Sequence, residues 1–242
     1  MTLPRVIVHR GAAGLAPENT LAGIRAAAAA GASGVEFDVK LTADGHCIAF
    51  HDDRLDRTTD GRGAVAKRTL AEIARLDAGA YAGPAFAGER VPSLAAVLDQ
   101  ALALGLAIDM EIKPSPGREA ETAHRALAEA RRAWPPGTPP PLVTSFSEES
   151  LMVARDAAPD WPRGLNCLAV PGDWRTRLDR LGSATLACLH KRLRRPAVAA
   201  MRGAGVSVLA FTVDEPGRAV ELFSWGVQTV ITDVPDTILA AT

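Results

Sequence analysis

The sequence predicts an α/β protein, a (β/α)8 TIM barrel with a small insertion after the second barrel strand. Three observations predict it. Short apolar runs alternate with helical patterns along the whole chain. Eight runs have the length of barrel strands: VIVH, GVEFDV, AIDMEI, LVTSF, LNCLAV, LACLH, SVLAFTV and TVITD. No Gly-x-Gly-x-x-Gly turn follows any of them, which removes the main signature of an open doubly wound sheet. At 242 residues and 48% hydrophobic content, one barrel spanning residues 1–242 is the simplest organisation.

The first run ends in His9-Arg10-Gly11, and LAGIRAAAAAGA from Leu21 to Ala32 then has high helix propensity, with Thr20 as N-cap and Gly31 as C-terminal stop. In the strand GVEFDV alternate residues share a face, so Glu36 and Asp38 project together while Phe37 and Val39 point the other way. Asp44-Gly45 reads as a two-residue hairpin turn. That register sets Ala43 opposite His46 and Asp38 opposite His51, and so predicts His51 beside the carboxylate pair.

Residues 53–92 are rich in Gly and turn residues, with one short helical pattern around Leu70 to Leu76, and are too long for a strand-to-helix loop. They are expected to form an insertion over the barrel mouth. Ser93 opens the next helix, closed by Gly105, and AIDMEIK then sets Asp109, Glu111 and Lys113 on one strand face. REAETAHRALAEARRAW is helical, PPGTPPP is a stiff connector, and Ser147 caps EESLMVARDAA. PGDWRTR reads as loop, LDRL as a short helix, RPAVAAMRGAG as helix, and Pro216 starts the helix GRAVELFSWG.

A net charge of −1 without a basic block argues against nucleic acid or an anionic membrane as partner. No charged and apolar leader and no membrane-length apolar run is visible, so the expectation is a soluble, unprocessed, cytoplasmic protein without stable membrane insertion. Cys47, Cys167 and Cys188 are odd in number and far apart, which suggests neither a disulfide framework nor a zinc site. Nothing in the sequence marks an oligomeric interface.

In a barrel the active site lies at the C-terminal ends of the strands, where His9, Glu36, Asp38, Glu111 and Lys113 fall. Inward carboxylates on two strands are costly unless compensated, and a divalent cation is the obvious compensation. An all-oxygen set of Glu36, Asp38 and Glu111 suits one Mg²⁺, Mn²⁺ or Ca²⁺ better than zinc. The competing view is a structural network of these acids with Arg10 and Lys113; convergence from two strands favours a site. His9 and His51 can divide the proton transfers, while Arg10 and Lys113 neutralise charge on phosphate oxygens, so the chemistry implied is phosphodiester cleavage. His190, Trp174 and Phe211 are candidates for the substrate pocket. Glu18 and Asn19 either orient the site or form a turn, and the solvated reading is preferred for His46 and His124.

His9-Arg10-Gly11, Pro17-Glu18-Asn19-Thr20, Glu36-x-Asp38, His51-Asp52, Glu111-x-Lys113, Ser145-Phe146, Phe211-Thr212-Val213 and Thr232-Asp233-x-Pro235 occur in order. In these motifs, and in the insertion after His51-Asp52, the chain resembles the glycerophosphodiester phosphodiesterases over nearly its full length. The resemblance implies a barrel that uses a divalent metal to hydrolyse a small-molecule glycerophosphodiester to glycerol 3-phosphate and an alcohol. It also implies His9 and His51 as acid/base pair, Glu36, Asp38 and Glu111 as metal ligands, and Arg10 and Lys113 as phosphate contacts. Asp214 stands where many relatives carry Asn. The near rival is a lysophospholipase D-type phosphodiesterase; from another class comes a catalytically silent phosphate-binding module, against which the presence of both histidines counts. Shared acid/base work predicts a bell-shaped dependence of rate on pH, and a rate flat from mildly acidic to mildly basic pH excludes it.

Overall fold

The computed structural model describes residues 3–242. Eight parallel strands close into a barrel: β1 (Val6–Val8), β2 (Gly34–Leu41), β4 (Ala107–Ile112), β5 (Leu142–Ser145), β6 (Arg163–Cys167), β7 (Thr185–Leu189), β8 (Ser207–Phe211) and β9 (Thr229–Thr232). Closure comes from β1, which pairs with β9 through Val6↔Val230 to Val8↔Thr232 and with β2 through Val8↔Val35. Because β1 ends at Val8, the rest of that edge of β2 is free, and it is taken by the short antiparallel strand β3 (Cys47–Ala49).

The helices form the outer layer: α1 (Leu21–Ala29), α3 (Leu94–Ala103), α4 (Glu119–Ala133), α5 (Glu148–Ala157), α6 (Trp174–Leu181), α7 (Arg195–Gly203), α8 (Pro216–Ser224) and α9 (Pro235–Leu239), with the short α2 (Leu70–Ile73) inside the insertion. The expected caps are in place. Thr20 accepts from the Gly23 N–H, Ser93 from Ala96 and Ser147 from Ser150. Among the described residues no helix is long and apolar enough to cross a membrane.

Outward strand residues such as Phe37, Met110, Leu165 and Val230 are buried against the helices in two large apolar clusters. Among the described residues, the apolar filling inside the barrel is the cluster of Leu3, Ile7, Leu142, Ala187, Leu209 and Ile231, with Phe211 packed against it. The inward positions nearer the C-terminal ends of β2, β4, β5 and β6 are Asp38, Glu111, Thr144 and Asn166. The insertion has a small core of its own, in which Leu55, Val65, Ile73, Ala78 and Val91 pack on Ile48 of β3 and on Phe50. Its single helix is shorter than the pattern from Leu70 to Leu76 implied, and three 3₁₀ turns supply much of the rest.

Two details differ from the sequence reading. The hairpin loop has three residues: Val39 faces Ala49 and Leu41 faces Cys47, so the register is shifted by one and Asp38 does not face His51. Thr42 selects the longer loop by accepting the His46 N–H at 3.0 Å and donating to Asp44 at 2.6 Å, with Gly45 at φ +78° as the left-handed residue. Instead, Phe50 N–H donates to the Asp38 carbonyl at 3.0 Å, and His51 lies just past the ladder. The second detail is PGDWRTR, which is not all loop, because α6 begins at Trp174.

Gly23 seats α1 against the first loop. A Cβ there would stand 2.2 Å from the Gly11 carbonyl oxygen and 3.0 Å from that of Pro17. Gly23→Ala therefore forces the backbone carrying Arg10 away from the helix. Although alanine favours a helix by about 1 kcal/mol over glycine, the expected outcome in urea unfolding is a net loss of about 1–3 kcal/mol from overpacking, with reduced activity. A stabilised variant would show that the contact relaxes freely.

Candidate active site

At the C-terminal end of the barrel an open-mouthed cavity of about 230 Å³ is lined by His9, Arg10, Glu36, His51, Glu111 and Lys113, among others. Alternation along β2 aims Glu36 and Asp38 inward, and parallel register with β4 sets Asp38 beside Glu111 and Glu36 beside Asp109. One oxygen from each of Glu36, Asp38 and Glu111 lies within 4.8 Å of the others, and all three side chains are buried.

Four acids in this wall face few cations. Lys113 donates to Glu111 at 2.7 Å and stands 3.6 Å from Asp38. Arg10 places Nε 3.5 Å from Asp38, donates through Nη1 to Glu18 at 3.0 Å, and gives its backbone N–H to Glu36 at 2.9 Å. Burial works against the Asp38 anion, but Lys113, Arg10 and His51 together hold its carboxyl below the usual range. Glu36 lacks that company: burial, then the charges of Asp38, Glu111 and Asp109, push it well above the usual range. Burial and Asp38 also raise Glu111. Burial, partly offset by the Thr144 hydroxyl donating at 2.7 Å, pushes Asp109 up to about 7. A triplet of buried oxygen donors short of positive charge fits a divalent ion of the Mg²⁺, Mn²⁺ or Ca²⁺ class.

The first loop is shaped for this wall. Arg10, Ala12 and Asn19 all adopt positive φ, between 50° and 61°, which non-glycine residues seldom do. Two hydrogen bonds hold Asn19 in that conformation: its amide nitrogen donates to the Asp38 carboxylate at 2.9 Å, and its oxygen accepts the Asp38 N–H at 3.1 Å. Both histidines are fixed through Nδ1 by a carboxylate, His9 by Asp233 at 2.7 Å and His51 by Asp52 at 2.6 Å, leaving each Nε2 for other partners. Asp214 accepts the Thr232 hydroxyl at 3.0 Å and the Asp233 N–H at 2.9 Å. Only acceptor character is used there, and an Asn carbonyl could supply it equally.

The cavity thus brings together six of the residues singled out from the sequence, with Asp38 completing the acid cluster and Phe211 lining the wall edge-on to Phe146, ring centroids 5.8 Å apart. Two do not join it. Trp174 opens α6 and packs partly buried in the outer layer, because a helix start at this point carries it outside the strand ring. His190 follows β7, whose inward position goes to Leu189; the histidine is buried and its carbonyl accepts from Arg218 at 2.6 Å. Sequence reasoning named Asp233 only as part of a motif, without a role, and passed over Asn166 and the pocket role of Asp109. Period-two spacing with Glu111 already marked Asp109 as inward. Asn166, which donates to Glu111 at 3.1 Å, carried no such signal in an apolar run.

Known proteins resemble this chain along its length. The profile of the glycerophosphoryl diester phosphodiesterase family matches residues 9–237. The glycerophosphodiester phosphodiesterase of Caldanaerobacter subterraneus subsp. tengcongensis is 35% identical over 97% of this chain and 96% of its own. Among solved structures, an Oleispira antarctica phosphodiesterase in complex with the product sn-glycerol-3-phosphate is 38% identical, with TM-score 0.96 over 99% of this chain and 96% of its own. The glycerophosphodiester phosphodiesterase of Agrobacterium tumefaciens has TM-score 0.81 at 30% identity, over 99% of this chain and 100% of its own.

The acid cluster makes stability depend on pH and on cations. Raised carboxyls bind more protons folded than unfolded, so the metal-free protein loses stability as pH climbs from about 4 toward the Asp109 value of about 7. A divalent ion opposes that loss by taking the place of the protons. After chelation, adding Mg²⁺, Mn²⁺ or Ca²⁺ is expected to raise Tm more at about pH 7.5 than at about pH 5.5. No shift at either pH with any of the three ions would remove metal binding from this cluster.

Proposed function

This chain belongs to the glycerophosphoryl diester phosphodiesterase family, and from that premise we propose that it hydrolyses small glycerophosphodiesters to glycerol 3-phosphate and an alcohol. The observation that carries this reading is the shared wiring of two histidines on one cavity, each held through Nδ1 by its own carboxylate beside a buried acid triplet.

His51 is the general base. Burial first, then Arg10 and Lys113, depress its pKa despite the pull of Asp38, so its imidazole is neutral and able to take a proton at neutral pH. His9, oriented by Asp233, delivers a proton to the leaving alcohol oxygen. Arg10 and Lys113 neutralise charge on the non-bridging phosphate oxygens, Arg10 as a planar fork and Lys113 as a point charge. Glu36, Asp38 and Glu111 would hold one divalent ion, which supplies Lewis-acid polarisation of the phosphoryl group when bound. Phe146, Phe211 and Leu189 give the cavity an apolar side where a leaving alcohol can rest.

The direct test is glycerol 3-phosphate release from glycerophosphocholine, glycerophosphoethanolamine and glycerophosphoglycerol, after chelation and after adding back each ion. Release that depends on the ion is expected, with His9→Gln and His51→Gln each reduced about 10²–10⁴-fold. No release from folded protein with any ion would overturn the reading, and turnover of lysophospholipids alone would shift it to lysophospholipase D chemistry. Because His51 must be unprotonated, kcat/KM should fall on the acid side with a midpoint below the usual histidine value of about 6.5; a midpoint above that value would reassign the base.

A further inference from the structure

The insertion reaches the site through one guanidinium. Arg57, in the coil that follows His51-Asp52, grips Asp52 with Nε at 2.7 Å and Nη2 at 2.9 Å. It grips Glu18, in the first loop, with Nη1 at 2.7 Å and Nη2 at 2.8 Å. Each carboxylate is also the partner of a residue that lines the cavity. The Asp52 oxygen that meets Nη2 is the one bound to His51 Nδ1 at 2.6 Å, and the Glu18 oxygen that meets Nη2 accepts from Arg10 Nη1 at 3.0 Å. Tyr81 of the insertion adds a second hold on the same loop, its hydroxyl accepting the Glu18 N–H at 2.9 Å.

A solvent-exposed ion pair contributes little to stability. This arrangement differs from such a pair in geometry. Four hydrogen bonds from one planar group fix two carboxylates at once, and the Glu18 side chain is only 11% exposed. Arginine alone has the fork to do this, since a lysine ammonium offers a point charge without planar alignment. Among the described residues, Asp52 without Arg57 keeps only its contact to His51 and is free to rotate with the ring, and Glu18 keeps only its side-chain contact to Arg10.

We propose that Arg57 is a positioning residue that sets His51 through Asp52 and Arg10 through Glu18, so that docking of the insertion and alignment of the site are one event. The proposal rests on the hydrolytic reading above for its kinetic arm alone. Misplacing a catalytic group by about 1 Å can cost on the order of 10²-fold in rate. In Arg57→Ala, kcat on glycerophosphodiesters should therefore fall about ten- to hundred-fold, with Tm little changed. Arg57→Lys should recover only a small part of the loss. Added guanidinium ion should restore part of the activity of Arg57→Ala and none in the wild type. Arg62→Ala, at a side chain 84% exposed in the same insertion, should match the wild type.

A second measurement needs no turnover. Imidazole ¹⁵N resonances of His51 should be sharp in the wild type, where Arg57 holds the Asp52 carboxylate, and broadened by ring motion in Arg57→Ala, where Asp52 turns with the ring. The proposal is overturned if Arg57→Ala keeps wild-type kcat, if guanidinium rescues nothing, or if the His51 ring is as ordered in that variant as in the wild type. Should the wild-type protein turn over no diester at all, the hydrolytic reading falls by itself, and the ring-motion measurement still decides for or against the positioning role.

Discussion

Uncompensated negative charge is the constraint around which the upper half of the barrel is arranged. Glu36, Asp38, Asp109 and Glu111 are all buried in one wall, and among the described residues only Arg10 and Lys113 bring full positive charge among them. The surrounding structure serves that imbalance. The first loop bends through four left-handed residues, Arg10, Gly11, Ala12 and Asn19, so that the Arg10 N–H meets Glu36 and Asn19 embraces Asp38, and from β6 Asn166 donates to Glu111. Neutral donors offset part of the burial penalty without adding charge. What remains unmet falls on Glu36, which burial and its acidic neighbours push well above the usual range, and the acid cluster stays short of positive charge there.

The interior is correspondingly divided. Apolar side chains on β1, β5, β7, β8 and β9 plug the lower barrel, whereas acids and their amide partners fill the upper part of β2, β4 and β6. Gly164 on β6 belongs to this fit, because a Cβ there would stand 3.0 Å from the Thr144 methyl and 3.3 Å from that of Thr185. Packing below and electrostatics above thus fall largely to different strands, with the period of two deciding which side chains of each take part.

Much of this was legible in the chain. Period-two spacing put Glu36 and Asp38 on one face, and Thr20, Ser93 and Ser147 announced three helix starts. What stayed hidden depended on distances between segments remote in sequence. Asp233 meets His9 across 224 positions, and no local pattern encodes that meeting. Asp-Gly is compatible with loops of two or three residues, and a Thr42 hydroxyl decided between them, which displaced the register by one. Trp174 and His190 looked like mouth residues because strand and helix ends are where local signals are weakest: one residue of difference turned His190 away from the cavity and left the inward place to Leu189.

The seam between β1 and β9 joins the beginning of the barrel to its end, and the His9–Asp233 hydrogen bond lies across it. Contacts of such sequence separation form late, because loop-closure entropy must be met before they contribute. During synthesis, then, every acid of the cluster and both histidines emerge well before the partner that orients His9. Until Asp233 has left the ribosome and the last strand has docked, the growing chain holds His9 without the carboxylate that orients it, and completion of the cavity coincides with completion of the fold.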